Sequence, residues 1–262
     1  MLLWIMSDLH LELTRNWHLP SGDARPKFDV LIVAGDLIPR MERGVKWLAE
    51  RVPDCPVIYI AGNHEYYGQD IDIDVEKARA AAVGTNIHVL QNDAITIDSV
   101  TFLGATLWTD FDLFEDPHYA MDVAGGVMND YRKIRFCAYE RRLRPAQTVL
   151  RHMESRDFII RALRKPRKPA ERRVVITHHG PHPEAVRRGC EHDIASAAYT
   201  SDLSAVINEG APDLWVYGHT HESRDFNVGA TRIVSNAKGY GPWHPGETWE
   251  NPNFNPALTI EI

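Results

Sequence analysis

The feature that most constrains this chain is a phrase repeated along it: a short apolar run, a glycine, then a side chain with a free lone pair. Val30 to Ala34 leads into Gly35 and Asp36, and Val57 to Ala61 into Gly62, Asn63 and His64. Leu214 to Tyr217 leads into Gly218, His219, Thr220 and His221. Two further runs end in the same kind of residue without the glycine: Leu2 to Met6 before Asp8 and His10, and Val174 to Thr177 before His178 and His179. Short runs rich in β-branched residues, with no polar alternation, are expected to be strands buried on both faces. In open α/β sheets, ligands gather at the carboxyl ends of such strands. Each fragment alone is ambiguous. Asp36 would serve equally well as a helix N-cap, and Asp8 with His10 as a cap and a surface residue. Five strand ends of one kind are a different matter, because parallel strands bring their carboxyl ends to one sheet edge.

Between these runs the pattern predicts helices over 44–51, 70–83, 146–163 and 202–208, from apolar periodicity, acidic first turns and Pro145 at a helix start. Further strands are expected at 87–90, 94–97, 101–105, 231–235 and 258–262, the first three as a meander or hairpins. Residues 14–27 read as a loop, 111–135 as a long irregular segment, 164–172 as an exposed connector, and the Pro, Gly, Asn and Trp-rich tail as a surface wrap. A loop as long as 111–135 is usually functional or mobile. There is no repeat and no linker, so residues 1–262 are expected to form a single domain.

Composition narrows the function. The net charge of −7 argues against general nucleic-acid binding or an anionic membrane surface. Cys55, Cys137 and Cys190 are odd in number and form no C-x-x-C, which suits a reducing compartment. With no stretch resembling a signal peptide or a membrane span, a cytoplasmic protein is expected. The 13 histidines are rich for this length, and histidine is the commonest metal ligand. Imidazoles mixed with carboxylates favour Mn, Fe, Zn, Co or Ni over Ca or Mg.

The ordered blocks D-x-H (Asp8, His10), G-D (Gly35, Asp36), G-N-H-E (Gly62 to Glu65), H (His178) and G-H-x-H (Gly218 to His221) resemble those of the calcineurin-like metallophosphoesterases. That family includes purple acid phosphatases and cyclic-nucleotide phosphodiesterases. The resemblance implies an α/β fold, a four-layer α-β-β-α sandwich of two mixed sheets with a dinuclear metal centre at the strand ends. It implies that Asp8, His10 and His221 hold one divalent transition metal and Asn63, His178 and His219 a second, with Asp36 bridging both. Of the adjacent pair, His178 follows the strand directly and is the expected ligand, with His179 behind it; the reverse assignment stays open. His64 would stand beside the leaving oxygen as proton or hydrogen-bond donor. The implied reaction is hydrolysis of a phosphomonoester or phosphodiester of a small molecule or nucleotide by a hydroxide shared between two metals about 3.5–4 Å apart. A scaffold without catalysis and a nuclease of the same superfamily are the competing readings. The full set of ligand positions weighs against the first, and the acidic charge against the second.

One departure stands out. In the protein-phosphatase branch another aspartate follows three residues after the bridging one and orients the histidine; here that position is Pro39, followed by Arg40. His64 therefore lacks that partner, and Glu65 is a poor substitute because adjacent residues rarely face each other. Substrate contacts are expected from Arg40, Tyr66, Tyr67, Trp108, His179, the 111–135 segment, Tyr240 and Trp243. The sequence leaves the substrate, the native metals and the oligomeric state open.

Overall fold

The computed structural model describes residues 1–14, 17–244 and 246–262; the part of the expected 14–27 loop at Arg15 and Asn16, and Pro245 in the tail, lie outside the described residues. The chain starts with β1 (Leu2–Met6), β2 (Val30–Ala34), β3 (Val57–Ile60) and β4 (Ile87–Leu90), which pair in parallel in chain order. It then crosses to a second sheet with the hairpin β5 (Asp93–Ile97) and β6 (Val100–Ala105). A two-residue hairpin, β7 (Arg135–Phe136) with β8 (Arg141–Arg142), stands apart. The second sheet is completed by β9 (Arg172–Thr177), β10 (Leu214–Tyr217), β11 (Ser223–Val228) and β12 (Thr231–Asn236), in the order β11-β12-β10-β9-β6-β5. Last, β13 (Thr259–Glu261) returns to pair antiparallel with β1.

Alternation along the strands builds the layers. In β1, Leu3 and Ile5 point between the sheets while Trp4 and Met6 point outward; in β2, Val30, Ile32 and Ala34 point inward and Leu31 and Val33 outward. Both faces are apolar because both are covered. The inner faces meet through residues such as Ile58, Phe102, Val174 and Val216. The outer face of the first sheet is covered by α1 (Met41–Arg51) and α2 (Ile71–Ala82), through Met41, Val45, Leu48, Val75 and Ala78. Farther along the chain come α3 (Pro117–Val127) and the single turn α4 (Asp130–Lys133). The outer face of the second sheet is covered by α5 (Pro145–Leu163) and α6 (Ser204–Gly210), through Ile159, Leu163 and Ile207 against Val175, Trp215 and Tyr217. The result is the expected α-β-β-α sandwich of two mixed sheets. Each fully buried aliphatic side chain contributes about 1.5–3 kcal/mol to such a core.

One local expectation needs correction. Residues 111–135 are not irregular: Asp116 caps α3 by accepting from Tyr119 N at 3.1 Å, with Pro117 at the first helical position. The glycine pair Gly125-Gly126 sits inside the last turn of that helix. Of the meander or hairpins expected over 87–105, the hairpin β5–β6 is found, opening the second sheet while β4 closes the first. One strand was not expected: β11 pairs with β12 along six residues although its sequence, Ser-Arg-Asp-Phe-Asn-Val, carries little apolar signal. Among the described residues, no helix is long and apolar enough to cross a membrane.

Candidate metal centre and active site

All five strand ends open at one edge of the sandwich, where β1, β2 and β3 of one sheet meet β9 and β10 of the other. On leaving β1, β2 and β10 the chain turns with left-handed backbone at Asp8 (φ 55°), His10 (φ 44°), Asp36 (φ 55°), His219 (φ 69°) and His221 (φ 53°). Such conformations are uncommon for non-glycine residues and persist only where surrounding structure holds them. The glycines of the motif make room for the carboxylates. A Cβ on Gly62 would meet Asp36 Oδ1 at 2.1 Å, and one on Gly218 would meet Asp8 Oδ2 at 2.6 Å.

The side chains converge in two groups. In the first, His10 Nε2 lies 3.1 Å from His221 Nε2, and His221 Nε2 lies 3.5 Å from Asp8 Oδ1. In the second, His178 Nε2 lies 3.1 Å from both Asn63 Oδ1 and His219 Nδ1. Asp36 stands between them, with Oδ2 3.6 Å from His10 Nε2 and Oδ1 3.4 Å from His178 Nε2. Seven side chains expected from the sequence are thus brought together, each nine-tenths or more buried.

The hydrogen bonds on the far side of each group show that this set suits cations. His178 Nδ1 pairs with Ala34 O at 2.9 Å and His221 Nδ1 with Glu250 Oε2 at 2.7 Å, so each Nδ1 carries the proton and each Nε2 presents its lone pair inward. His10 Nδ1 faces Glu12 Oε1 at 3.4 Å and is fixed in the same sense. Asn63 donates through Nδ2 to Asp130 Oδ1 at 2.8 Å, which turns its carbonyl oxygen to the centre. Asp8 accepts from His219 N at 3.0 Å, and Asp36 Oδ1 from His64 N at 2.8 Å. Two inward lone pairs 3.1 Å apart repel unless positive charge stands between them. A proton on Nε2 supplies such charge as well as a metal ion would. Burial opposes protonation, yet Asp36 raises His178 to about 10, and Asp8 and Glu250 raise His221 to about 9.

His64 forms the rim of this centre. Its Nε2 lies 4.0 Å from Asp36 Oδ2 and 3.4 Å from the Tyr240 hydroxyl, and its ring stacks on Tyr67 with centroids 4.1 Å apart. The orienting carboxylate that Pro39 cannot supply comes from Glu12, whose Oε1 is 3.0 Å from His64 Nδ1. Burial alone would raise the Glu12 carboxyl; hydrogen bonds from His10 and His64 outweigh that and hold it at about 2. Glu65, the other candidate, turns away. It accepts from Asp36 N at 2.9 Å, Leu37 N at 2.7 Å and Gly62 N at 2.7 Å, and from the Tyr59 hydroxyl at 2.8 Å. It therefore ties the loop after β2 to the loop after β3, and burial next to Asp36 pushes it up to about 7.

A cleft of about 360 Å³ opens over Asp36, Asn63, His64 and His219, walled by Tyr67, Tyr199 and Tyr240. Five expected contact residues do not line it, the exposed Trp243 among them. Tyr66 and Trp108 are core residues, 1% and 2% exposed. His179 is fully buried between Trp108 and His219, with Nδ1 3.1 Å from Thr106 O; burial, reinforced by His178, pushes it down to about 3. Arg40 is exposed, with φ 67°, at the start of α1, outside the lining of this cleft. Conversely, sequence reasoning missed Glu12, Asp130 and Glu250. Glu12 carried a signal, two residues beyond His10. Asp130 lay inside the segment read as irregular, and Glu250 in the tail, 29 residues from the histidine it holds.

A family model described as calcineurin-like phosphoesterase matches residues 1–223. The chain belongs to the calcineurin-like phosphoesterases. It is accordingly a metal-dependent phosphoesterase, as the ordered blocks implied. A relative from Acanthamoeba polyphaga mimivirus, an uncharacterized protein, is 25% identical over 289 residues, spanning 100% of this chain and 96% of the relative. Among solved structures, the phosphopantetheinyl hydrolase from Mycobacterium tuberculosis superposes with a TM-score of 0.65 at 19% identity, covering 91% of this chain and 89% of that one. At that identity the likeness is one of fold.

Proposed function

We propose that this chain is a binuclear metallohydrolase that cleaves a phosphomonoester or phosphodiester of a small molecule or nucleotide. The observation that carries the reading is the convergence of inward-facing lone pairs in two groups sharing Asp36. Asp8, His10 and His221 would hold one ion and Asn63, His178 and His219 the other, with Asp36 between. The mixed nitrogen and oxygen donors favour transition metals of the Mn, Fe, Zn, Co and Ni kind. When bound, such ions lower the pKa of water and neutralise charge on phosphoryl oxygens.

The chain's own groups do the rest. Glu250 and Ala34 O keep His221 and His178 in the tautomer that faces the centre. His64, with Nδ1–H held by Glu12, presents Nε2 toward the cleft, where it donates to the departing oxygen. Tyr67 fixes the plane of that ring from one side. The tail belongs to the same unit: β13 pairs with β1, and Tyr240 and Glu250 reach the centre, which supports one domain over residues 1–262.

Metal analysis should find about two transition-metal ions per chain, and hydrolysis of 4-nitrophenyl phosphate or its bis ester should require them. Asp36→Asn should lose both the stoichiometry and the turnover. Wild-type activity in that variant would sink the proposal.

A further inference from the structure

A second cavity, of about 840 Å³, lies on the other side of His64 from the cleft. His64 and Tyr67 line both spaces, so this stacked pair is the partition between them. The second space is walled by Arg132, Lys133 and Arg135, with Glu12 at its inner end. Several arginines of this protein have a carboxylate partner, as Arg25, Arg79, Arg167, Arg172, Arg173 and Arg232 do. Among the described residues, these three cations form no such pair. Arg132 donates only to Gly126 O, and the Lys133 ammonium lies 4.8 Å over the Tyr67 ring. Glu12 does not neutralise them, being committed to His10 and His64. Their backbone is fixed: Gly68 N donates to Lys133 O at 3.1 Å, and Arg135 N to Gln69 O at 2.9 Å. In a chain of net charge −7, three unpaired cations held around one concave wall are a receptor for an anion.

From this two-chambered arrangement we infer that the substrate is a phosphodiester whose leaving alcohol carries a second anionic group, a phosphate or a carboxylate, which binds against Arg132, Lys133 and Arg135. The inference rests on the hydrolase reading above and names the substrate class of that site. The phosphorus lies over the metal centre, one substituent occupies the cleft walled by Tyr199 and Tyr240, and the leaving group passes His64 into the basic cavity. Water adds to phosphorus, the bond to the leaving oxygen breaks, and that oxygen takes its proton at the partition. A monoester would leave one of the two spaces without a tenant.

The test compares methyl 4-nitrophenyl phosphate with analogues bearing a 3-carboxylate or a 3-phosphonate on the leaving ring, using the metal-loaded full chain. The expected result is a kcat/KM about 5- to 10-fold higher for the anionic leaving groups, carried in KM, as several partly exposed ion contacts would give. The preference should fade as salt is raised. The double variant Arg132→Gln/Arg135→Gln should bring the ratio toward one, whereas Arg164→Gln, at the C-terminal end of α5 and in the lining of neither space, should keep it. Comparison of the two analogues separates a carboxylate site from a phosphate site. Turnover of the neutral ester with no anionic preference, or a preference that survives the double variant, overturns the inference and leaves the hydrolase reading standing. No turnover of any ester overturns both.

Discussion

Replacing Glu12 by Gln tests how this protein manages without an acidic residue at position 39. Glu12 Oε1 is 3.0 Å from His64 Nδ1 and 3.4 Å from His10 Nδ1. The substitution keeps the shape and removes the charge. A hydrogen bond to a charged group is worth about 1.5–3 kcal/mol, a factor of roughly 10 to 150. That loss should fall on the step in which His64 donates to the leaving oxygen, since proton transfer of this kind supplies about 10²–10⁴-fold. It should therefore depend on the leaving group. With a methyl or other alkyl alcohol leaving, kcat should drop by about 10- to 100-fold; with 4-nitrophenolate, which departs without a proton, it should hardly change. The assay is steady-state hydrolysis of an alkyl and a 4-nitrophenyl diester, with metal content measured on the same samples because Glu12 also touches His10. Equal losses on both substrates at unchanged metal content would refute the assignment of Glu12 to His64, and so would no loss on either.

Other perturbations follow from the same geometry. Glu250→Gln frees His221 Nδ1 from its 2.7 Å partner and should weaken metal affinity about 10- to 100-fold, measured by competition with a chelating dye, with the metal-free melting temperature little changed. Gly62→Ala would drive a Cβ to 2.1 Å from Asp36 Oδ1. It should abolish stoichiometric metal binding and cost about 1–3 kcal/mol in urea unfolding; normal metal content would count against the close approach. Asp74 is buried in α2 beneath α1, with Oδ2 accepting from Met41 N at 3.1 Å and Oδ1 without a partner. Burial raises its carboxyl from 3.8 to about 6. Its folded pKa lies above its unfolded one, so its contribution to stability is full below about pH 4 and is lost as the pH rises through 6. Asp74→Asn should remove that decline and gain about 2–3 kcal/mol above pH 6 in chelator-treated protein, read from urea midpoints between pH 4 and 7; parallel curves for variant and wild type would refute it.

Local sequence carried the fold and most of the centre because both depend on short-range order. Val30–Ala34 is buried on both faces and reads as such, and Asp36 follows it within the same turn. Each candidate ligand lies directly beyond a strand, so locating the strands located the candidates. The layer order came from the resemblance to the family; the strands themselves said only that a sheet apolar on both sides needs a cover on each. What hid from the sequence was whatever depends on two distant segments meeting. The irregular reading of residues 111–135 failed because α3 is set by one capping carboxylate, Asp116, and by packing rather than by a strong apolar stripe. Trp108 and Tyr66 were expected at the rim because aromatic residues after a strand end suit either surface or core, and only burial distinguishes the two.

Asp36 illustrates the division. From the sequence it was a carboxylate at a strand end, fit to cap a helix or to enter a site. Tertiary structure decided between these by setting one of its oxygens toward His10 and the other toward His178, residues that lie 26 and 142 positions away along the chain. The same holds around it. The sequence by itself determined which groups stand at the sheet edge, because strand periodicity and glycine turns are local. Which carboxylate holds which imidazole, Glu12 on His64 and Glu250 on His221, and where three cations are left unpaired, was settled only when both sheets, the tail and α4 came together. A hydrogen bond acts within about 3 Å, and nothing in the linear order of residues encodes that distance.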